Sequence, residues 1–281
     1  MNSFKNHLKH TGIIWYREVL RYWRDKARIV GSIAMPFFFL VIFGSGLSSS
    51  IGSMAGGAAE MGLDFKKFMF PGIIGMTTLF TSMFSGLSVV RDKEYGFLKE
   101  ILVSPADRVA VAAGKILGGS TVTMLQATLI FIFAPFVGIS LSALMLLKIW
   151  GIIFLGAILF TGLGTYVGSR LNSTEGFQMV MNFMIMPMFF MSGAFFPLKD
   201  IPSWMAVLVR VNPFAYLTDS MRKVIFSSMG LPAQVMNNLP DYGLGISLFG
   251  DPVKLWLDLT IVATLALITG SIAVYSFNHM D

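Results

Sequence analysis

The strongest constraint on this chain is a set of six stretches, each of about 20 residues, that carry no charged side chain. They are Ile29 to Leu47, Phe68 to Val90, Ile116 to Ile139, Ile149 to Ser169, Gly176 to Leu198 and Leu259 to Asn278. A helix of that length crosses roughly 30 Å of hydrocarbon, where only helices and closed barrels satisfy their own backbone polar groups. Composition agrees: 55% of residues are apolar and 13% charged, with a mean hydropathy of +0.72, against about a quarter charged in soluble domains. The expected fold is all-α, a polytopic membrane protein with six transmembrane helices. Pro36, Pro71, Pro135 and Pro187 fall within or near the ends of the stretches, which membrane helices tolerate when neighbours satisfy the freed carbonyls.

The charges lie between these stretches. In residues 1–28, Arg17, Arg21, Arg24 and Arg28 recur at helical spacing while Trp15, Val19, Tyr22 and Trp23 gather opposite. A basic stripe against an aromatic stripe predicts an amphipathic helix lying in the membrane interface, followed by a six-span domain over 29–281. No apolar run followed by a small-residue cleavage site marks a removable signal peptide. With the N-terminus inside, thirteen of the 21 Lys and Arg fall in cytoplasmic segments. Their density predicts both termini cytoplasmic.

Between the second and third stretches lies a polar island, Arg91 to Lys115, with a loop at 91–108. A helix from about Asp92 to Val103 gathers Tyr95, Phe97, Leu98, Ile101 and Leu102 on one face, with Lys93, Lys99 and Glu100 opposite. Ser104-Pro105 stops it. Such a helix serves either as a float among headgroups or as a peg for a soluble partner, and the peg is expected. Residues 199–258 are too polar to span and too apolar for a plain loop. Helices over Ile201–Val209 and Ala215–Phe226 are predicted there, separated by Asn212-Pro213, as a re-entrant hairpin or an external cap. Asp219 and Arg222, three apart, are expected to form a partly buried ion pair.

Several chemistries are absent. The one Gly-Lys pair, Gly114-Lys115, is followed by Ile116, so no phosphate-cradling loop is present and the chain cannot hydrolyse a nucleotide alone. His7, His10 and His279 have no metal-ligand spacing and cysteine is absent, so no metal site is expected. No acid or base sits near a span midpoint, which disfavours ion-coupled transport. The basic residues describe topology rather than a nucleic-acid surface. Gly114-x-x-x-Gly118 and Gly164-x-x-x-Gly168 have the spacing of close helix packing. The fifth stretch carries Phe177, Met181, Met184, Met188, Met191 and Phe195 on one helical face, and the second carries Ile73, Thr77, Phe80, Phe84 and Leu87. If the two stripes meet across a dimer axis, they form an apolar path for an amphipathic cargo. If not, they are packing seams.

Glu94-x-Gly96-x-Leu98, Leu102-x-Ser104-Pro105-x-x-Arg108 and Asn212-Pro213-Phe214-x-Tyr216-x-x-Asp219-x-x-Arg222, in this order, resemble type-2 ATP-binding-cassette transporter permeases, most closely the drug-exporter branch. The resemblance implies a half-transporter in the cell inner (plasma) membrane that forms a dimer, with homodimer expected. It recruits two copies of a cytoplasmic ATPase that carries ATP and Mg, this chain holding no cofactor. It also implies that Glu94, Tyr95, Gly96, Phe97, Leu98, Ile101, Leu102 and Pro105 engage the ATPase as a coupling helix, and that Asn212, Pro213, Tyr216, Asp219 and Arg222 belong to the external segment. Export of a hydrophobic or amphipathic compound follows from the resemblance. Alternatives are export of lipid-linked polysaccharide and a membrane assembly subunit that transports nothing.

Overall fold

A computed structural model describes residues 2–46, 65–96, 108–199, 201–248 and 250–279. The fold is helical: α1 (Asn2–Arg24), α2 (Lys26–Gly46), α3 (Phe65–Ser85), α4 (Leu87–Glu94), α5 (Arg108–Ile130), α6 (Ala143–Arg170), α7 (Thr174–Phe190), α8 (Ser203–Val211), α9 (Pro213–Ser228), α10 (Ala233–Asn237) and α11 (Leu255–Asn278). One two-residue antiparallel ladder, β1 (Ser247–Leu248) on β2 (Asp251–Pro252), precedes α11. Among the described residues, four helical segments are long and apolar enough to cross a membrane: Phe65–Glu94, which joins α3 and α4, Arg108–Phe133, α6 and α11. The first expected span coincides with α2, whose apolar part Ile29–Ile42 is shorter, and the fifth with the 17-residue α7.

The inner helix of the bundle is α3, of which 72% of the most apolar window is buried, against 22% for α11 at the periphery. Phe70, Ile73, Ile74, Leu79 and Met83 of α3 are wholly enclosed by α6, α5, α2 and α9. Between apolar helices in lipid, association rests on close packing and interhelical hydrogen bonds rather than on hydrophobic expulsion. Both devices occur here. A Cβ on Gly164 would stand 2.2 Å from the Met83 carbonyl oxygen, and one on Gly86 would stand 2.0 Å from that of Gly164. The α3–α4 junction therefore touches α6 backbone to backbone. The second small-residue pair seats α1 on α5: Gly114 lies under Ile14 and the Thr11 carbonyl, and Gly118 under Glu18. Thr81 of α3 donates to Oε1 of Gln126 on α5.

Local signals set most helix ends. Ser142 and Ser173 accept from Met145 N and Gly176 N as side-chain caps of α6 and α7. Asn212 with Pro213 behind it opens α9. Four expectations need correction. The third span, expected to Ile139, leaves α-geometry at Ile130 and continues as tight turns around Pro135 to Gly138, whose φ is +74°. The fifth ends at Phe190 rather than Leu198, one turn past Pro187. The last begins at Leu255, drawing Asp258 into the helix. The helix expected from about Asp92 to Val103 is not continuous from Asp92, because α4 ends at Glu94 and Gly96 adopts φ +77°, the left-handed geometry of a helix stop; residues 97–103 lie outside the described residues.

A side chain at the α3–α6 contact must push two backbones apart, and overpacking costs about 1–3 kcal/mol. Gly164→Leu is expected to lower the thermal midpoint of the detergent-solubilised protein by several degrees. Gly270→Ala, with nothing within 4 Å of the new methyl, should leave it unchanged.

Candidate functional site

The root of the polar island is a buried charge cluster. Val89 and Val90 carry α4 along the bundle wall, and Asp92 follows on that inner side, 2% exposed. Lys115, the first charge before the apolar run of α5, is 3% exposed. Its Nζ lies 2.6 Å from Asp92 Oδ2 and 3.5 Å from Glu18 Oε1, and donates to Ser88 Oγ at 3.2 Å. From α1, Arg17 adds a bond of 2.9 Å to the same Asp92 oxygen and one of 3.2 Å to Glu18. Burial pulls the Arg17 guanidinium down, but Asp92 and Glu18 outweigh it and hold it above the usual arginine range. Three helices are thus joined through one carboxylate. Arg17 turns toward protein, where the basic stripe of α1 predicted a lipid contact.

The next two residues close the facing turn. Lys93 Nζ donates to the Ser169 carbonyl at the end of α6, while Glu94 accepts from Thr174 N and Thr174 Oγ1, each at 2.6 Å, at the start of α7. A cation on a C-terminus and an anion on an N-terminus both complement helix dipoles. Tyr95 is then 71% exposed, and Gly96 turns the chain away. Phe97, Leu98, Ile101, Leu102 and Pro105 lie outside the described residues.

The two apolar stripes do meet, but within one chain. Phe84 packs edge-on to Phe177 at 6.3 Å, and Phe80 to Phe189 at 6.0 Å. Met181 is fully buried, and Met184 and Met188 lie half-buried against the core. Met191 and Phe195 fall beyond the end of α7, where Phe195 stacks at 4.7 Å on Phe189. The wholly enclosed side of α7 is Phe177, Met181, Ile185 and Phe189, a four-residue repeat. Its opposite side leaves Met179 and Phe183 about as exposed as any apolar residue here, at 74% and 79%. Beside Phe84 opens a cavity of about 410 Å³, lined by the apolar Phe84, Leu87 and Val122 and by the charged Glu18, Arg21, Asp25 and Arg91.

At the other end of the bundle, Asn212 serves two helices. Its Oδ1 caps Phe214 N of α9 at 3.0 Å, and its Nδ2 donates to the Met188 and Met191 carbonyls that end α7, at 2.6 and 2.9 Å. Tyr216 Oη donates to the Arg210 carbonyl at 2.5 Å. The expected Asp219–Arg222 pair is not made. Arg222, 1% exposed, donates to the carbonyls of Leu244 and Gly193 at 3.0 and 2.6 Å and lies over the Phe68 ring. Burial lowers its pKa to about 10, with Asp219 opposing, so it stays charged at neutral pH. Asp219 pairs instead with Lys223 at 2.7 Å, and Lys223 also holds Asp258 of α11 at 2.5 Å and the Val253 carbonyl at 2.6 Å.

Lys115, Lys223 and Asp258 are the functional-looking residues that sequence reasoning passed over. Asp92 and Lys115 border the two spans that one island joins, so they stand at similar depth on neighbouring helices. That symmetry was the available signal. Lys223 gave none, because its second partner is 35 residues away. Among the described residues, no group of three or more His, Cys, Asp or Glu is placed to hold a metal.

Long apolar helices packed through glycines, with charge clusters only at the two ends, define a polytopic membrane protein. The family described as ABC-2 type transporter matches residues 9–226, and the chain belongs to it. It is 24% identical over 225 residues to ycf38 of Cyanophora paradoxa, named as a transport permease, covering 79% of this chain and 76% of that one. It is 26% identical over 220 residues to the inner membrane transport permease YadH of Escherichia coli K12, covering 74% and 80%. YbhR of the same strain, named as a multidrug ABC transporter permease, is 27% identical over 176 residues, which cover 60% of this chain and 46% of YbhR. The protein is a transmembrane permease subunit of an ABC transporter, and its family implies an ABC ATPase partner.

Two outcomes test the clusters. Asp92→Asn removes the nearer carboxylate from the buried Lys115 ammonium and leaves it only the longer contact to Glu18, a loss of about 3 kcal/mol, while adding Lys115→Met should restore most of the thermal midpoint. In the second cluster Lys223→Met should destabilise more than Asp219→Asn, because it strands two carboxylates instead of releasing one. Exchanging Asp219 and Arg222 should not rescue either single variant, since Arg222 is held by carbonyls.

Proposed function

We propose that this subunit exports a hydrophobic or amphipathic compound across the inner membrane, as a homodimer powered by two copies of a cytoplasmic ATPase that bind ATP and Mg. In this reading residues 1–28 lie along the cytoplasmic interface, six helices span within 29–281, both termini are cytoplasmic, and 199–258 forms a re-entrant or external cap. The loop at 91–108 is the coupling element, with Leu98 and Ile101 on the face set into the ATPase. YadH and YbhR, by their names an inner membrane transport permease and a multidrug permease, support the membrane and the cargo class.

The observation that carries the reading is the rooting of the island. Asp92, Lys93 and Glu94, the last charged residues before Gly96, hold α1 and α5, the end of α6 and the start of α7 respectively. A pull on the loop is therefore delivered to four helices at once. The cavity beside Phe84, which sets apolar side chains beside charges of both signs, suits an amphiphile entering from the face where the loop lies. Phe80, Met181, Met184, Met188, Met191 and Phe195 then form the seam that must loosen for passage beyond it.

Leu98→Asp and Ile101→Asp place a carboxylate in a dry contact, where an unpaired charge costs several kcal/mol. Co-purification of the ATPase should fall sharply while the permease still inserts. Glu94→Ala should instead keep the ATPase bound and lose cargo-stimulated ATP hydrolysis. Undiminished binding by both carboxylate variants would return the loop to the role of a headgroup float.

A further inference from the structure

An apolar groove lies on the perimeter of the bundle, beside the Lys223–Asp258 contact. It encloses about 530 Å³ between three elements: Lys148, Gly151 and Leu155 of α6, Val224 of α9, and Leu255 and Leu259 of α11. Both long helices qualify as membrane spans, so the groove opens to lipid. Gly151 is what makes it deep, since a Cβ there would meet nothing within 4 Å. An empty groove of this kind forfeits dispersion contacts along its whole lining, and water gains no hydrogen-bond partners from leucine and valine.

The groove has a charged end and an apolar end. Lys148 sits five residues into α6, on the order of 8 Å along its axis, and is exposed with no ion pair or hydrogen bond to any described residue. From that depth a lysine extends its ammonium to headgroup level while its methylenes line the apolar wall. Lys254, exposed, stands immediately before Leu255. Trp256, 63% exposed, follows the groove-lining Leu255 on α11, the kind of ring found where headgroups meet hydrocarbon. Two cations and an indole at one end of an acyl-sized trough match one ligand chemistry.

We propose that this groove binds an anionic phospholipid, one acyl chain lying along Gly151 and Leu259 and the phosphate held by Lys148 and Lys254. The site requires only that α6 and α11 span the membrane. In the topology proposed above it belongs to the outer leaflet. Its position gives it a structural consequence. Val224 and Leu259 adjoin Lys223 and Asp258 in sequence, so the lipid chain covers the flank of the contact that ties α9 to α11.

The full-length protein carrying Trp15→Phe, Trp23→Phe, Trp150→Phe and Trp204→Phe leaves Trp256, next to the groove-lining Leu255, as its one indole. It is reconstituted in phosphatidylcholine vesicles containing brominated phosphatidylglycerol or brominated phosphatidylcholine, and indole quenching is followed against mole fraction. Half-quenching is expected at a roughly fivefold lower fraction of phosphatidylglycerol for each lysine engaged. Lys148→Gln should shrink that preference, Lys148→Arg should keep it, and Gly151→Leu should weaken quenching by both lipids. Thermal midpoints of the variants, unchanged in detergent, establish that they are folded. Equal quenching by the two lipids in the parent protein, or a preference that survives Lys148→Gln and Gly151→Leu together, would show ordinary boundary lipid and overturn the site.

Discussion

A lysine enclosed at the end of a membrane helix must be held by a carboxylate, and in this permease that requirement fixes where three helices meet. Lys115 lies 2.6 Å from Asp92. Desolvating both charges is expensive, and such a pair is weak evidence of net stability. What it supplies is register, because no sliding of α5 along α4 keeps the two groups in contact. Arg17 bonds the same Asp92 oxygen, so α1 inherits that register too. Glycine then admits the close approach the pair demands: Gly114, the residue before Lys115, is the one that lets α1 settle on α5.

The bundle repeats this arrangement at its other end with a different cast. Lys223 bridges Asp219 and Asp258, and Arg222 is satisfied by two backbone carbonyls. Between the two ends the interior holds aromatic edges, methionines and uncharged hydrogen bonds such as Thr81 to Gln126 and Thr269 to the Leu159 carbonyl. Polar specificity at both ends with a middle joined by weak, deformable contacts is a sound plan for a transporter. The ends keep each chain's helices in order, and the middle separates without leaving a charge unpaired in hydrocarbon.

The island's root shows how a local stop becomes a mechanical joint. Gly96 at positive φ ends the helix just after three charged residues that have each found a partner on a different element. Rigid attachment and abrupt departure of the chain sit within five residues. The same economy recurs at Asn212, whose amide both starts α9 and satisfies the end of α7.

From sequence alone the class, the helical fold, the small-residue contacts and the place of the island were legible, because each is written in local terms: gaps between charges, a period of 3.6, glycines four apart. Helix existence was read better than helix ends. The fifth span stops early at Phe190, one turn past Pro187, and Asp258 lies inside the last, since apolar runs do not record where caps and prolines act. Partner choice was not legible. Asp219 takes Lys223 rather than Arg222, Glu94 caps α7, and the Phe80–Phe84 stripe closes on α7 of its own chain. Those outcomes are decided through space by which helices pack side by side, and a buried charge pairs with whatever tertiary packing brings within about 3 Å, however far away that group stands in the chain.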